Sequence, residues 1–170
     1  MKHQAGVTLV ETMLCITLLS IVLSLSVSGF GYLRETQTQQ ITRENLASSL
    51  ASARQAAVNH RQQVVMCPSM TGSSCTGNSQ GWTNGWIAYV DSNGDKTYSA
   101  DERILFYYKN SRANTNKVIS NTVAIAFNPN GIVNNTEFQV CSTSVTSENK
   151  KISIGLLGRI KQESENAACS

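Results

Sequence analysis

Proline is nearly absent from the 170 residues: Pro68 and Pro129 are the only two, and the first 67 positions have none. A long unbroken helix is therefore permitted at the amino end, where the residue most disruptive to a helix interior does not occur. Charge is sparse as well, at 15% of residues, against roughly 25% in ordinary soluble domains. Fourteen Lys and Arg against eleven Asp and Glu leave a formal net charge of +3, far short of the excess carried by proteins that bind polyanions over their whole surface. Histidine occurs only at His3 and His60. With no Ser/His/Asp set, carboxylate pair, phosphate loop or metal quartet, an enzymatic role has no residues to carry it and no cofactor is implied. The length suits one domain.

The amino end departs from the rest. Lys2 and His3 precede an apolar run, Glu11 lies inside it, and no charged residue occurs over the 22 positions from Thr12 to Leu33. As a helix rising ~1.5 Å per residue these positions cover ~33 Å, enough for a hydrocarbon core of ~30 Å. Lys2 orients the amino end toward the cytoplasm, which places everything after Arg34 outside, where disulfides persist. A secretory signal peptide, with Ser26 and Ser28 before Gly29 as its cleavage site, is the simpler alternative. Glu11 weighs against it, because an unpartnered carboxylate in such a stretch costs about 3 kcal/mol to insert.

Gly6-Val7-Thr8-Leu9-Val10-Glu11 resembles the processing site of type IV prepilins, with a short basic leader, a Gly, and a Glu five positions into the mature chain. The resemblance implies cleavage between Gly6 and Val7 by a prepilin peptidase and methylation of the new amino terminus at Val7. It also gives Glu11 an assembly role. The freed amine of Val7 on one subunit and the Glu11 carboxylate of its neighbour would neutralise each other in lipid and set the helix register. Val7 stands where the family usually has Phe.

From Arg34 to about Arg61 the chain is polar, with Ile41, Leu46, Leu50, Ala53 and Ala57 recurring every three to five residues, a helical period. One helix of about 55 residues is expected, its outer half packing a sheet; a coiled-coil stalk would need sustained Leu heptads that are missing. Beyond Gln63 the pattern changes to short β-branched and aromatic runs, 63–67, 85–90, 103–108, 122–127, 136–141 and 150–157. Turn signals such as Asn84-Gly85, Asn93-Gly94-Asp95 and Asn128-Pro129-Asn130-Gly131 separate them. A helix followed by an antiparallel sheet is the α+β class. The expected divisions are a leader at 1–6, a transmembrane half-helix at 7–33, an amphipathic half-helix at 34–62 and a β-rich head at 63–170.

Cys67-Pro68, Cys75, Gly85-Trp86-Ile87-Ala88-Tyr89-Val90-Asp91 and Phe127-Asn128-Pro129-Asn130-Gly131, in this order behind a prepilin site, resemble the minor pilins and pseudopilins of the GspH/FimT family over nearly the whole chain. The resemblance implies the type IV pilin fold and a place among the low-abundance subunits that initiate or tip a fibre. It implies as partners other major and minor pilins, the prepilin peptidase and the inner membrane. The subunit would be single-pass with a periplasmic head before assembly, and on the pilus at the cell surface afterwards.

Cys15 falls in the apolar stretch and reads as a small packing residue. Of the other four, Cys67 and Cys75 would close a short loop and Cys141 and Cys169 would staple the carboxyl end to a strand, although other pairings are formally open. Zinc would want CxxC pairs or more His.

Two further segments look chemical. Asp91 to Glu102 places oxygens from Asp91, Asn93 and Asp95 and a final Glu102 in the order of a twelve-residue calcium loop, but Lys96 occupies the position where that loop needs Gly. The other reading is a hairpin turn whose Asp and Asn bond their own backbone. Basic residues also cluster without intervening acids: Arg103, Lys109, Arg112 and Lys117, then Lys150, Lys151, Arg159 and Lys161. Gly158-Arg159-Ile160-Lys161 resembles the Gly-Arg-x-Arg motif of FimT-type minor pilins, which implies non-specific capture of double-stranded DNA for uptake in natural transformation. Lys161 keeps the charge of the second Arg but not its bidentate fork. Alternation would place Arg159 and Lys161 on one face of an extended segment. Three or four phosphate contacts would cost roughly 10- to 100-fold in affinity between about 50 and 200 mM salt. The alternatives are a solvated edge strand, whose cations block aggregation, and a purely structural pilin or type II secretion pseudopilin that primes or caps the fibre.

Overall fold

The computed structural model describes residues 7–143 and 149–165, with the side chains of residues 25–32, 80 and 165 outside that description. The chain divides into two compact units, Met1–Arg34 and Glu35–Ser170. One helix, α1 (Leu9–His60, 52 residues), contributes to both.

In the first unit Thr8 caps the helix: the Glu11 N–H donates to Thr8 Oγ1 at 3.3 Å, half of a Thr-x-x-Glu capping box. Every large apolar side chain from Val7 to Leu23 is more than half exposed. The hydroxyls of Thr12, Thr17, Ser20 and Ser24 each donate to the backbone carbonyl three residues earlier. From Val7 to Ser24 these hydroxyls are satisfied within the helix and the large apolar side chains are exposed on all sides. Among the described residues no helix is long and apolar enough to cross a membrane, while the side chains of residues 25–32, inside the expected 7–33 segment, fall outside the described set.

In the second unit α1 becomes one-sided. Leu46, Leu50, Ala53 and Ala57 are fully buried at the expected helical spacing, and the small alanines let strands approach closely. The helix stops at His60, and Arg61 adopts a left-handed φ of 54°.

Eight strands follow: β1 (Gln63–Pro68), β2 (Gly85–Asp91), β3 (Ile104–Lys109), β4 (Asn116–Ser120), β5 (Ile125–Phe127), β6 (Thr136–Ser142), β7 (Asn149–Ile154) and β8 (Ile160–Glu165). They form two antiparallel sheets, ordered β3-β2-β1-β5 and β4-β6-β7-β8. The type IV pilin architecture and α+β class hold, but two sheets replace the one expected. Strands β4 and β8 were not expected, and the runs 122–127 and 150–157 are shortened to Ile125–Phe127 and Asn149–Ile154. The sequence of β8, Ile-Lys-Gln-Glu-Ser-Glu, has one apolar residue. Pairing with β7, rather than its own side chains, makes it a strand.

Both sheets and the helix share one core. Val64, Met66, Trp86 and Ala88 from the first sheet meet Phe138, Val140, Ile152 and Ile154 from the second across Leu46, Leu50 and Ala53. Trp82, in a short 3-10 helix (Ser79–Thr83), lies edge-on to Phe138 at 5.0 Å and donates its ring N–H to the Thr122 carbonyl at 2.9 Å. Trp86 stacks on Tyr108 at 4.4 Å. On the other face of the first sheet, Val65, Cys67, Ile87 and Tyr89 form a smaller cluster covered by Cys75 and Tyr98.

Candidate nucleic-acid interface

Strands β7 and β8 are joined by Gly155-Leu156-Leu157-Gly158. The Gly158 N–H donates to the Gly155 carbonyl at 2.7 Å and the Gly155 N–H to the Arg159 carbonyl at 3.0 Å. Gly158 has a φ of +70°, which completes a three-residue hairpin loop closed by a left-handed residue. Gly158 has a second reason to be glycine: a Cβ there would collide with Nε of Arg54 and lie 2.8 Å from the Gly131 carbonyl oxygen. Arg54, on α1, donates from Nε to the Gly131 carbonyl at 3.1 Å and from Nη2 to the Leu157 carbonyl at 3.0 Å. Its guanidinium thus ties the helix, the turn before β6 and the β7–β8 apex together. Sequence reasoning missed Arg54, for which a lone helix arginine gives no signal; the Gly-x-x-Gly spacing at 155 and 158 was the visible trace of the turn.

Arg159 and Lys161 emerge beside this turn. Both are exposed, neither side chain has a hydrogen-bond or ion-pair partner among the described residues, and both line an open groove of about 550 Å³ with Leu156, Leu157, Glu137 and Ser153. Arg159 directly precedes β8, which begins at Ile160, and follows the left-handed Gly158.

The other two expected cations do not join them as equals. Lys151 is opposite Glu163 in register and forms an ion pair with Glu137 at 3.2 Å. Lys150 alternates with it, on the face of the buried Ile152, and donates to Ser164 Oγ at 3.1 Å. The segment 150–162 is acid-free in sequence, but strand pairing brings Glu137 and Glu163 into it. The first basic segment lies apart: Lys117 is on β4, at the edge of the second sheet opposite β8, and Arg103 Nη2 lies 3.4 Å from His60 Nε2.

The loop from Asp91 to Glu102 takes the turn form. Asp91 accepts the N–H groups of Gly94 and Lys96 at 2.7 and 3.0 Å, and Asp95 accepts that of Thr97 at 2.7 Å. Asn93 Oδ1 accepts the Asp95 N–H, and Glu102 bonds the N–H groups of Ser92 and Ser99 at 3.1 and 3.0 Å. Lys96 adopts a φ of 61° where a calcium loop would place Gly. Among the described residues no group of three or more His, Cys, Asp or Glu is arranged to hold a metal. Behind the loop the buried Tyr89 packs edge-on against Tyr98. Burial, and secondarily the carboxylates of Glu102, Asp91 and Asp95, push its phenol well above the ordinary range.

Cys67 and Cys75 are joined by a disulfide, their Cα atoms 5.7 Å apart, and Cys15 is a free, exposed thiol. Cys141 is disulfide-bonded; its expected partner Cys169 lies outside the described residues, as does Gly6. Val7 and Glu11 are exposed near the start of α1.

Residues 42–158, which span the alanine-striped part of the helix and most of the two-sheet head, match the family of the Type II transport protein GspH. The chain belongs to the GspH family. Residues 1–27 match the prokaryotic N-terminal methylation motif. This pilin shares its fold with the type IV minor pilin FimU of Pseudomonas aeruginosa PAO1, in two crystal forms. The first gives a TM-score of 0.60 at 23% identity, covering 77% of this chain and 92% of FimU. The second gives 0.55 at 21%, covering 73% and 91%. The minor pseudopilin EpsH of the Vibrio cholerae type 2 secretion system aligns at 0.52 and 8% identity, covering 74% and 95%. No curated protein matches the chain in sequence. The protein is thus a minor pilin or pseudopilin, a structural subunit and not an enzyme, built to associate with other pilins.

Proposed function

We propose that this pilin is incorporated at or near the tip of a type IV pilus and binds extracellular double-stranded DNA non-specifically through Arg159 and Lys161, for uptake in natural transformation. One observation carries the proposal: two exposed cations, without a hydrogen-bond or ion-pair partner among the described residues, line a groove beside a turn whose backbone is held in place by Arg54. Backbone phosphates are the ligand that such a pair recognises without reading sequence. With Lys151 held by Glu137 and Lys150 on the other face, two phosphate contacts replace the three or four expected. The loss of affinity between about 50 and 200 mM salt then falls to roughly tenfold.

Processing and anchoring belong to the same proposal. A prepilin peptidase cuts between Gly6 and Val7, Val7 is methylated, and Glu11 neutralises the amine of a neighbouring subunit during assembly. The apolar, self-satisfied helix holds the subunit in the inner membrane as a single pass, with the head periplasmic, until the fibre takes it up. The matching methylation motif supports this sequence of events.

The test is a gel shift of the detergent-solubilised chain with salt titration. Arg159→Gln combined with Lys161→Gln should remove the shift and cut transformation while pili still assemble. Lost pili with unchanged DNA binding would instead support a second role, a pseudopilin that primes or caps a secretion fibre, which the likeness to EpsH favours.

A further inference from the structure

We infer that the Leu156-Leu157 apex of the β7–β8 hairpin is an apolar wedge that enters a groove of double-stranded DNA while Arg159 and Lys161 hold the flanking phosphates. This rests on the DNA-binding role proposed above and adds how the duplex is engaged.

Leu157 is 75% exposed and Leu156 57%. They are the two central residues of the turn, positions that most side chains can occupy, and solubility there favours polar ones. Neither leucine belongs to the buried core. The fold uses their backbones and leaves their side chains in water, and adjoining large apolar side chains in water mark a binding surface.

The apex is also stiff. The Leu156 carbonyl accepts the Val133 N–H at 3.0 Å and the Leu157 carbonyl accepts Arg54 Nη2 at 3.0 Å. Gly158 is wedged so closely against Arg54 that no side chain fits. A backbone already fixed lowers the ordering cost of binding to that of the leucine side chains, which favours a wedge between stacked bases.

Charge selects the occupant. Arg159 and Lys161, without partners among the described residues, line one groove with the leucines, and the Glu137 there is paired with Lys151, so the groove offers a net positive rim to an occupant that brings negative charge. A duplex does: apolar residues inserted at a base step, flanked by cations on the phosphates, unstack that step and bend the helix.

The experiment uses the detergent-solubilised full chain and a labelled duplex carrying 2-aminopurine, whose fluorescence rises when its step is unstacked. Wild type should brighten the probe. Leu156→Ser with Leu157→Ser should weaken binding by roughly tenfold through lost apolar burial and abolish the brightening. The slope of affinity against salt should not change, because no charge is removed. Leu156→Ala with Leu157→Ala, checked by circular dichroism melting, guards against a folding defect. Unchanged affinity in both leucine variants, with binding still lost in Arg159→Gln, overturns the wedge and leaves DNA binding standing. A silent probe with wild type also overturns it, as does loss of pilus incorporation with duplex affinity intact, which would assign the leucines to a neighbouring pilin. No duplex binding by wild type overturns the wedge and the proposed function together.

Discussion

Two loops of the head look chemical in sequence, Asp91 to Glu102 and Gly155 to Lys161, and they solve opposite problems. In the first, charged side chains turn inward: Asp91 and Glu102 are buried and their oxygens are taken up by the loop's own N–H groups. In the second, the two apex carbonyls are taken up from outside, by Val133 and Arg54, and the side chains of Leu156, Leu157, Arg159 and Lys161 are left over. A loop that consumes its polar groups is a structural device. A loop whose backbone is held by its surroundings keeps its side chains for something else.

Gly158→Ala should break this contrast most severely. The new Cβ collides with Nε of Arg54 on a residue with φ of +70°, so about 3 kcal/mol of stability is lost. DNA affinity should fall with it, as paired denaturation and gel-shift measurements would reveal. Asp91→Ala should cost less, about 2 kcal/mol for two charge-assisted bonds, and leave DNA affinity unchanged. Any loss of duplex binding in that variant would erase the distinction between the loops.

Smaller changes sharpen it. Glu137→Gln removes the carboxylate that pairs with Lys151 and lines the groove of Arg159 and Lys161, and should tighten duplex binding by roughly threefold. Its effect on the melting temperature should be slight, the pair being half exposed. Behind the first loop, Tyr89 deprotonates at higher pH when folded than when unfolded, because burial and nearby carboxylates oppose the phenolate. A phenol held neutral by the fold makes unfolding easier once pH exceeds its unfolded value of ~10, where the unfolded chain alone releases the proton. Tyr89→Phe should therefore flatten alkaline unfolding. At neutral pH it should change stability by less than about 1 kcal/mol, since the buried hydroxyl has no hydrogen-bond partner among the described residues.

The helix was legible because its signals are local: no proline before Pro68, and apolar residues at Leu46, Leu50, Ala53 and Ala57 at helical spacing. Strands β1, β2, β3 and β6 were legible from β-branched and aromatic runs. Strand β8 was not, because Lys161 to Glu165 carry no pattern of their own and extend only by pairing with β7. The basic segment misled for a related reason. Counting charge along the chain found no acid between Lys150 and Gln162, whereas the neighbours that matter lie across strands, where Glu137 meets Lys151.

The sequence by itself determined the order of events along the chain: an apolar helix start with Glu11 in its first turn, a spine with one buried stripe, then turns punctuated by Gly, Asn and Pro. Such features arise from interactions within a few residues, and the chain displays them directly. Only the tertiary structure decided which cations lack a partner among the described residues, that two sheets share one core, and that Arg54 fixes the apex bearing Leu156 and Leu157. Those outcomes depend on groups far apart along the chain, 103 positions in the case of Arg54 and Leu157, and such distances close only when the chain folds.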